Sequence, residues 1–169
     1  MAEAQDARLM KRPYPEIGRE LAPADDRRHR MRALVDALWE ALEPTGVSWV
    51  GFYLHEGGDE LVLGPRRDKP ACSPIGLHGA CGRAFTEKRP LVARDVVRLG
   101  KNYIACDPRD RSEVVIPLLE SDGTCWGVLD LDSFDAGAFD QGDVDGLLML
   151  LRAAQLTTPD TPMGETIVV

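Results

Sequence analysis

Three cysteines carry the most evident chemistry of this 169-residue chain. Cys72 and Cys81 lie in DKPACSPIGLHGACG, and Cys106 lies in GKNYIACDPRDRSEVVIPL. A thiol can surrender two electrons, passing through a sulfenic acid to a disulfide with a second thiol. Further along, Asp130 and Asp132 alternate with apolar residues in CWGVLDLDS, and Glu113 precedes VVIPL. Carboxylates in an apolar strand can bind a cation. Crowding and desolvation raise their pKa values, so one of them can also keep a proton at neutral pH. Together these residues point to a thiol reductase acting on a small polar substrate. The plainer reading of a lone cysteine is a small buried hydrophobe. That reading suits Cys125 and stays open for Cys81.

Other chemistries fit less well. No pair among Cys72, His78, Cys81 and Cys106 has the CxxC spacing found in most structural zinc sites, so no metal is expected. No organic cofactor motif is present either. His29 falls on a helix face, His55 in a turn and His78 in a loop, outside any triad. Asp107, next to Cys106, is a proton source or a turn residue. Trp49 and Tyr53 share one face of a strand with Gly51 between them; core packing and the wall of a binding site both remain open. A net charge of −8 and a pI near 4.9 argue against a nucleic-acid partner, which needs a basic surface. There is no apolar run long enough to span a membrane, and the first residues lack the pattern of a secretory signal. A cytoplasmic protein is expected, where a lasting structural disulfide is not.

The elements that must position these residues follow from periodicity. Residues 1–23, with three prolines and little periodicity, read as a flexible arm, and 24–156 as a single domain. Asp25 or Asp26 can cap a helix whose Met31, Leu34, Val35, Leu38, Trp39 and Leu42 form one apolar stripe, ended by Pro44 and Gly46. VSWVGFYL and ELVLGP flank the turn HEGGDE as a hairpin, and SEVVIPLLE and TCWGVLDLDS flank SDG as another. Between them lie two long loops, a short helix over 79–88 and a short strand within 89–97. Strand alternation puts Asp130 and Asp132 on one face with Trp126 and Val128. Asp140 caps a last helix bearing Val144, Leu147, Leu148 and Leu151, and 157–169 reads as a flexible tail. Sequential hairpins imply an α+β fold: an antiparallel central sheet, the terminal helices on one face and a loop-covered pocket on the other.

The segments SWVGFYL, LVLGP, KPAC, GACG, YIACD, SEVVIPL and GVLDLDS, taken together, resemble a GAF domain, and more narrowly the free methionine-R-sulfoxide reductases. The resemblance runs from about Val47 to Leu151. It implies that Cys106 attacks the sulfoxide and that Cys72 resolves the sulfenic acid as a disulfide, with Cys81 as an alternative thiol. It also implies that Glu113, Asp130 and Asp132 bind the substrate ammonium, with Trp49 and Tyr53 as an aromatic wall against the methyl-sulfinyl group. The implied partners are free methionine sulfoxide and a thioredoxin-like reductant, and a homodimer is one assembly open to such a chain. The chain departs from the pattern after KPAC, where Pro74 and Ile75 are exchanged and His78 intervenes, in the insert AGAFDQGD, and in the additional Cys125. The alternatives are a non-catalytic GAF module that senses a small molecule or oxidants, and a scaffold built on the terminal helices.

Overall fold

The structure, a computed structural model, describes residues 12–21, 23–103 and 106–169. In chain order, helices α1 (Tyr14–Glu20) and α2 (Arg27–Leu42) precede strands β1 (Val47–Leu54), β2 (Glu60–Arg67) and β3 (Ile75–Gly76). Helix α3 (Ala80–Glu87), strand β4 (Leu91–Ala93) and a 3₁₀ segment over Val96–Asn102 follow. The chain then forms β5 (Ser112–Leu119), β6 (Cys125–Ser133), α4 (Gln141–Ala153) and β7 (Ile167–Val168). Both expected hairpins form, and the strands join one sheet in the order β3-β2-β1-β6-β5-β4-β7. Its pairings are antiparallel except that of β4 with β7, which is parallel.

Local chemistry accounts for the helix starts. Asp26 accepts the backbone N–H of His29 at 2.9 Å and caps α2, whose Met31, Leu34, Val35, Leu38 and Leu42 are buried. Asp140 and Asp143 form a reciprocal capping box at α4. Helices α1, α2 and α4 cover one face of the sheet, burying Leu34, Leu38, Phe52, Ile116, Leu129 and Leu147. A second cluster on the opposite face includes Trp49, Tyr53, Ile75, Cys81, Val115 and Val128, under α3 and the loops. That second face is where a pocket can form.

Three expectations are corrected. First, the stretch read as an N-terminal arm is docked from residue 12 onward, while residues 1–11 lie outside the described residues. The Arg12 guanidinium donates to Asp143 Oδ1 and to the Ala138 carbonyl, both at 2.8 Å, and Tyr14 Oη donates to the same Asp143 oxygen at 2.6 Å. Tyr14 also packs where a Cβ on Gly146 would stand. Second, the tail is built in. Thr157 Oγ1 accepts the Leu119 N–H at 2.9 Å, and β7 extends the sheet edge beside β4. Prolines and polar residues hid both segments, because their anchors are long-range and leave no periodic trace. Third, Trp126 does not share a face with Asp130. A register shift between Leu118 and Leu119 turns it to the helix side, where the Arg27 guanidinium lies 4.1 Å over its ring.

The Arg12–Asp143 pair is almost fully buried, with side chains 3% and 4% exposed. Arg12→Ala is therefore expected to destabilise the fold by about 3 kcal/mol, since it strands a buried carboxylate. Urea unfolding checks this, and a loss below about 0.5 kcal/mol would return the segment to a dispensable arm.

Candidate active site

The central strands β1, β6 and β5 bring the carboxylates and aromatics together. Antiparallel register sets Trp49 opposite Asp132 and Gly51 opposite Asp130 on one side of β6, with Glu113 opposite Asp132 and Val115 opposite Asp130 on the other. Because alternate residues share a face, Glu113, Asp130 and Asp132 line one cavity with Trp49 and Tyr53. Gly51 is required there, since a Cβ would run into the Trp49 ring. The two aromatic rings stand 6.0 Å apart, centroid to centroid.

These aromatics also hold the loop above them. Trp49 Nε1 donates to the Lys69 carbonyl at 2.9 Å, and Tyr53 Oη donates to the Cys72 carbonyl at 2.8 Å. Ser73 Oγ accepts the Leu63 N–H at 3.0 Å. The KPAC loop is thus fastened over the cavity. Lys69 in turn ion-pairs with Asp107 of the following loop, and Asp107 accepts from Arg109 as well. Cys72 and Cys106 face each other across these loops as a disulfide, with a Cα separation of 5.4 Å inside the usual range. Ile104 and Ala105 of the YIACD motif lie outside the described residues.

Cys81 takes a different place. It is a free thiol buried in the first turn of α3, on the cavity wall beside Asp130. Cys125 is also free and buried, and its Sγ donates to the Gly127 carbonyl outside this cavity. Of the histidines, His29 pairs with Asp26, His55 packs on Phe85 and His78 is exposed; none lines the cavity.

Electrostatically the cavity is short of positive charge. Glu113 and Asp130 are 7% and 5% exposed, and Asp132 is half-buried. Burial pushes the Glu113 carboxyl up to about 7, against the lowering hydrogen bond with Asp130. Burial first, and then Asp132 and Glu113, raise Asp130 well above the carboxylate range. Asp132 is raised in the same way, by burial and then by Glu113 and Asp110. Burial, then Asp130, holds the Cys81 thiol neutral. Asp130 Oδ1 has no hydrogen-bond partner, which marks a place for a donor. Cys81, Glu113 and Asp130 each offer one donor atom within 4.8 Å of the others, the group among the described residues able to hold a metal ion. The same atoms suit an ammonium, whose N–H donors can take three acceptors at once.

Every residue singled out from the sequence for substrate or redox chemistry reaches this region. Glu113 had the weakest signal, because β5 is buried along its whole length and shows no alternation. Asp110 and Tyr103, which also line the cavity, were missed inside a segment read as loop. Asp110 offered one hint, a carboxylate three positions before Glu113 in DPRDRSE.

Comparison with known proteins agrees with this geometry. The sequence model of the GAF domain matches residues 29–157. A free methionine-R-sulfoxide reductase of Saccharomyces cerevisiae is 36% identical over 120 residues, covering 68% of this chain and 66% of its own, so the chain spans just under two thirds of that relative. One from Escherichia coli is 41% identical over 127 residues, covering 73% of each chain. The structure of free methionine-R-sulfoxide reductase from Neisseria meningitidis in complex with its substrate superposes with a TM-score of 0.75 at 36% identity, covering 84% of this chain and 83% of that one. By sequence and by structure, the chain belongs to the GAF domain family and, within it, to the free methionine-R-sulfoxide reductases.

Proposed function

We propose that the chain reduces free L-methionine-R-sulfoxide to L-methionine. The observation that carries this reading is a cysteine pair able to form a disulfide at the mouth of a cavity lined by three carboxylates. The sulfoxide enters with its ammonium toward Glu113, Asp130 and Asp132, which gives it charge-assisted hydrogen bonds and fills the unpartnered Asp130 oxygen. Trp49 and Tyr53 flank the methyl-sulfinyl end. Cys106 attacks sulfur as the thiolate and accepts the oxygen, becoming a sulfenic acid. Cys72 then displaces water to form the disulfide.

Both disulfide cysteines are exposed, which suits attack by an external thiol, and a thioredoxin-like protein is the proposed reductant. Cysteine supplies both electrons, so the scheme uses neither metal nor organic cofactor. Cys81, as a buried neutral thiol, serves in this scheme as part of the cavity wall. Among the described residues no helix is long and apolar enough to cross a membrane. The cytoplasm, with its thiol reductants, is the proposed compartment. A purely sensory GAF module would need neither the cysteine pair nor the acidic cavity.

The test is direct. Purified protein with dithiothreitol and resolved sulfoxide isomers is expected to release methionine from the R isomer alone. Release from the S isomer instead, or no methionine at all, would refute the proposal.

A further inference from the structure

Asp110 has no part in the scheme above, yet it lines the same cavity as Cys106 and the three buried carboxylates. It is held from two directions. Its N–H donates to the Asp107 carbonyl at 3.1 Å, closing the turn after Cys106, and its Oδ1 accepts from Ser48 Oγ of β1 at 3.2 Å. Resting on the proposed reaction, we propose that Asp110 is the acid that protonates the sulfoxide oxygen while Cys106 attacks the sulfur.

Each competing proton source has another commitment. Asp107 is tied to Lys69 and Arg109, and the Arg109 and Lys69 hydrogen bonds hold its carboxyl far below the usual range, so it carries no proton to give. Glu113, Asp130 and Asp132 are occupied by the substrate ammonium, and a cation beside a carboxyl favours its charged form. Their protons leave as substrate binds. Tyr53 spends its hydroxyl hydrogen on the Cys72 carbonyl, and burial raises it far above neutrality. Burial raises Tyr103 as well. Burial, and then Asp130, raise the Cys81 thiol well above its ordinary range and keep it neutral.

Asp110 differs from all of these. Burial lifts its carboxyl to about 6, against the Ser48 hydrogen bond. Asp107 adds to the rise, while Lys69 and Arg109 oppose it. From the strands, Glu113 and Asp132 face it across the cavity. It is half-buried, so solvent can reload it between turnovers. An acid of this strength is suited to proton delivery near neutrality.

The step balances. The Cys106 thiolate, the sulfoxide and the Asp110 carboxylic acid become Cys106 sulfenic acid, the thioether and the Asp110 carboxylate. The sulfur–oxygen bond of the substrate breaks and one forms on Cys106. The substrate sulfur gains two electrons and the cysteine sulfur loses them. The proton from Asp110 ends on the transferred oxygen, and water returns one to the carboxylate.

The experiment is single-turnover reduction of free methionine-R-sulfoxide by the pre-reduced full chain, followed against pH. Asp110 is protonated below its pKa, so the wild-type rate is expected to fall as pH rises through an alkaline limb at or above about 6. Asp110→Asn is expected to slow the step about 100-fold with a substrate affinity within about twofold of wild type, and to lose that limb. Asp110→Glu should recover part of the rate. Ser48→Ala removes a hydrogen bond that favours the charged form, so the limb should move to higher pH. A wild-type rate and limb in Asp110→Asn, or a change confined to affinity, overturns the assignment. So does an unmoved limb in Ser48→Ala, which tests the idea even if the asparagine variant fails to fold. A wild-type protein that releases no methionine would instead sink the proposed reaction itself.

Discussion

Cys106→Ser is expected to lose turnover of free methionine-R-sulfoxide by about a thousandfold or more, because a hydroxyl cannot take the sulfoxide oxygen in a two-electron step. The fold should survive, since Cys106 is exposed. The partner variant separates the two thiols. Cys72→Ser should still yield one methionine per protein, then stall with a Cys106 sulfenic acid that dimedone traps. Oxidation of the wild type by substrate should give the Cys72–Cys106 linkage on peptide mapping, the pair that stands 5.4 Å apart between Cα atoms. Turnover retained in Cys106→Ser would remove the attacking role from this residue. A Cys81–Cys106 linkage would transfer resolution to Cys81, which must then leave its buried place beside Asp130.

Free amino acid should be preferred over N-acetyl-methionine sulfoxide by about three powers of ten in kcat/KM. A site built to hydrogen-bond a donor rejects an analogue without it on that scale, because buried acceptors lose their partners. Here the acceptors are Glu113, Asp130 and Asp132, and an acylated nitrogen brings neither the charge nor the three donors. Asp130→Asn and Asp132→Asn should each raise KM about 10-fold or more, consistent with the loss of a charge-assisted hydrogen bond, and leave kcat comparatively unchanged. Equal rates on the acetylated and free substrates would remove the ammonium from these carboxylates. A fall in kcat alone would instead make them the proton source, in place of Asp110.

Much of this site could be read locally. Period-two alternation put Trp49 and Tyr53 together on one face of their strand and Asp130 and Asp132 together on one face of theirs, because side chains in a strand must alternate. Helical spacing identified the buried stripe of α2, and Asp26 and Asp140 marked helix starts through their own backbone chemistry. The cysteines announced redox chemistry by residue type alone.

Tertiary structure decided what depends on meetings between distant segments. Cys72 rather than Cys81 faces Cys106 because loops 34 residues apart are latched by Lys69, Asp107, Trp49 and Tyr53. Glu113 points into the cavity through its register opposite Asp132, which a strand buried on both faces cannot reveal. Trp126 left its expected face because a single register shift inverts the side on which a residue stands. Arg12 found Asp143 across 131 positions, so a stretch without periodicity became part of the core. Asp110 became an acid in the cavity only once the turn after Cys106 closed against Ser48. Local sequence sets periodicity and capping; loop closure and register set which chemical groups meet.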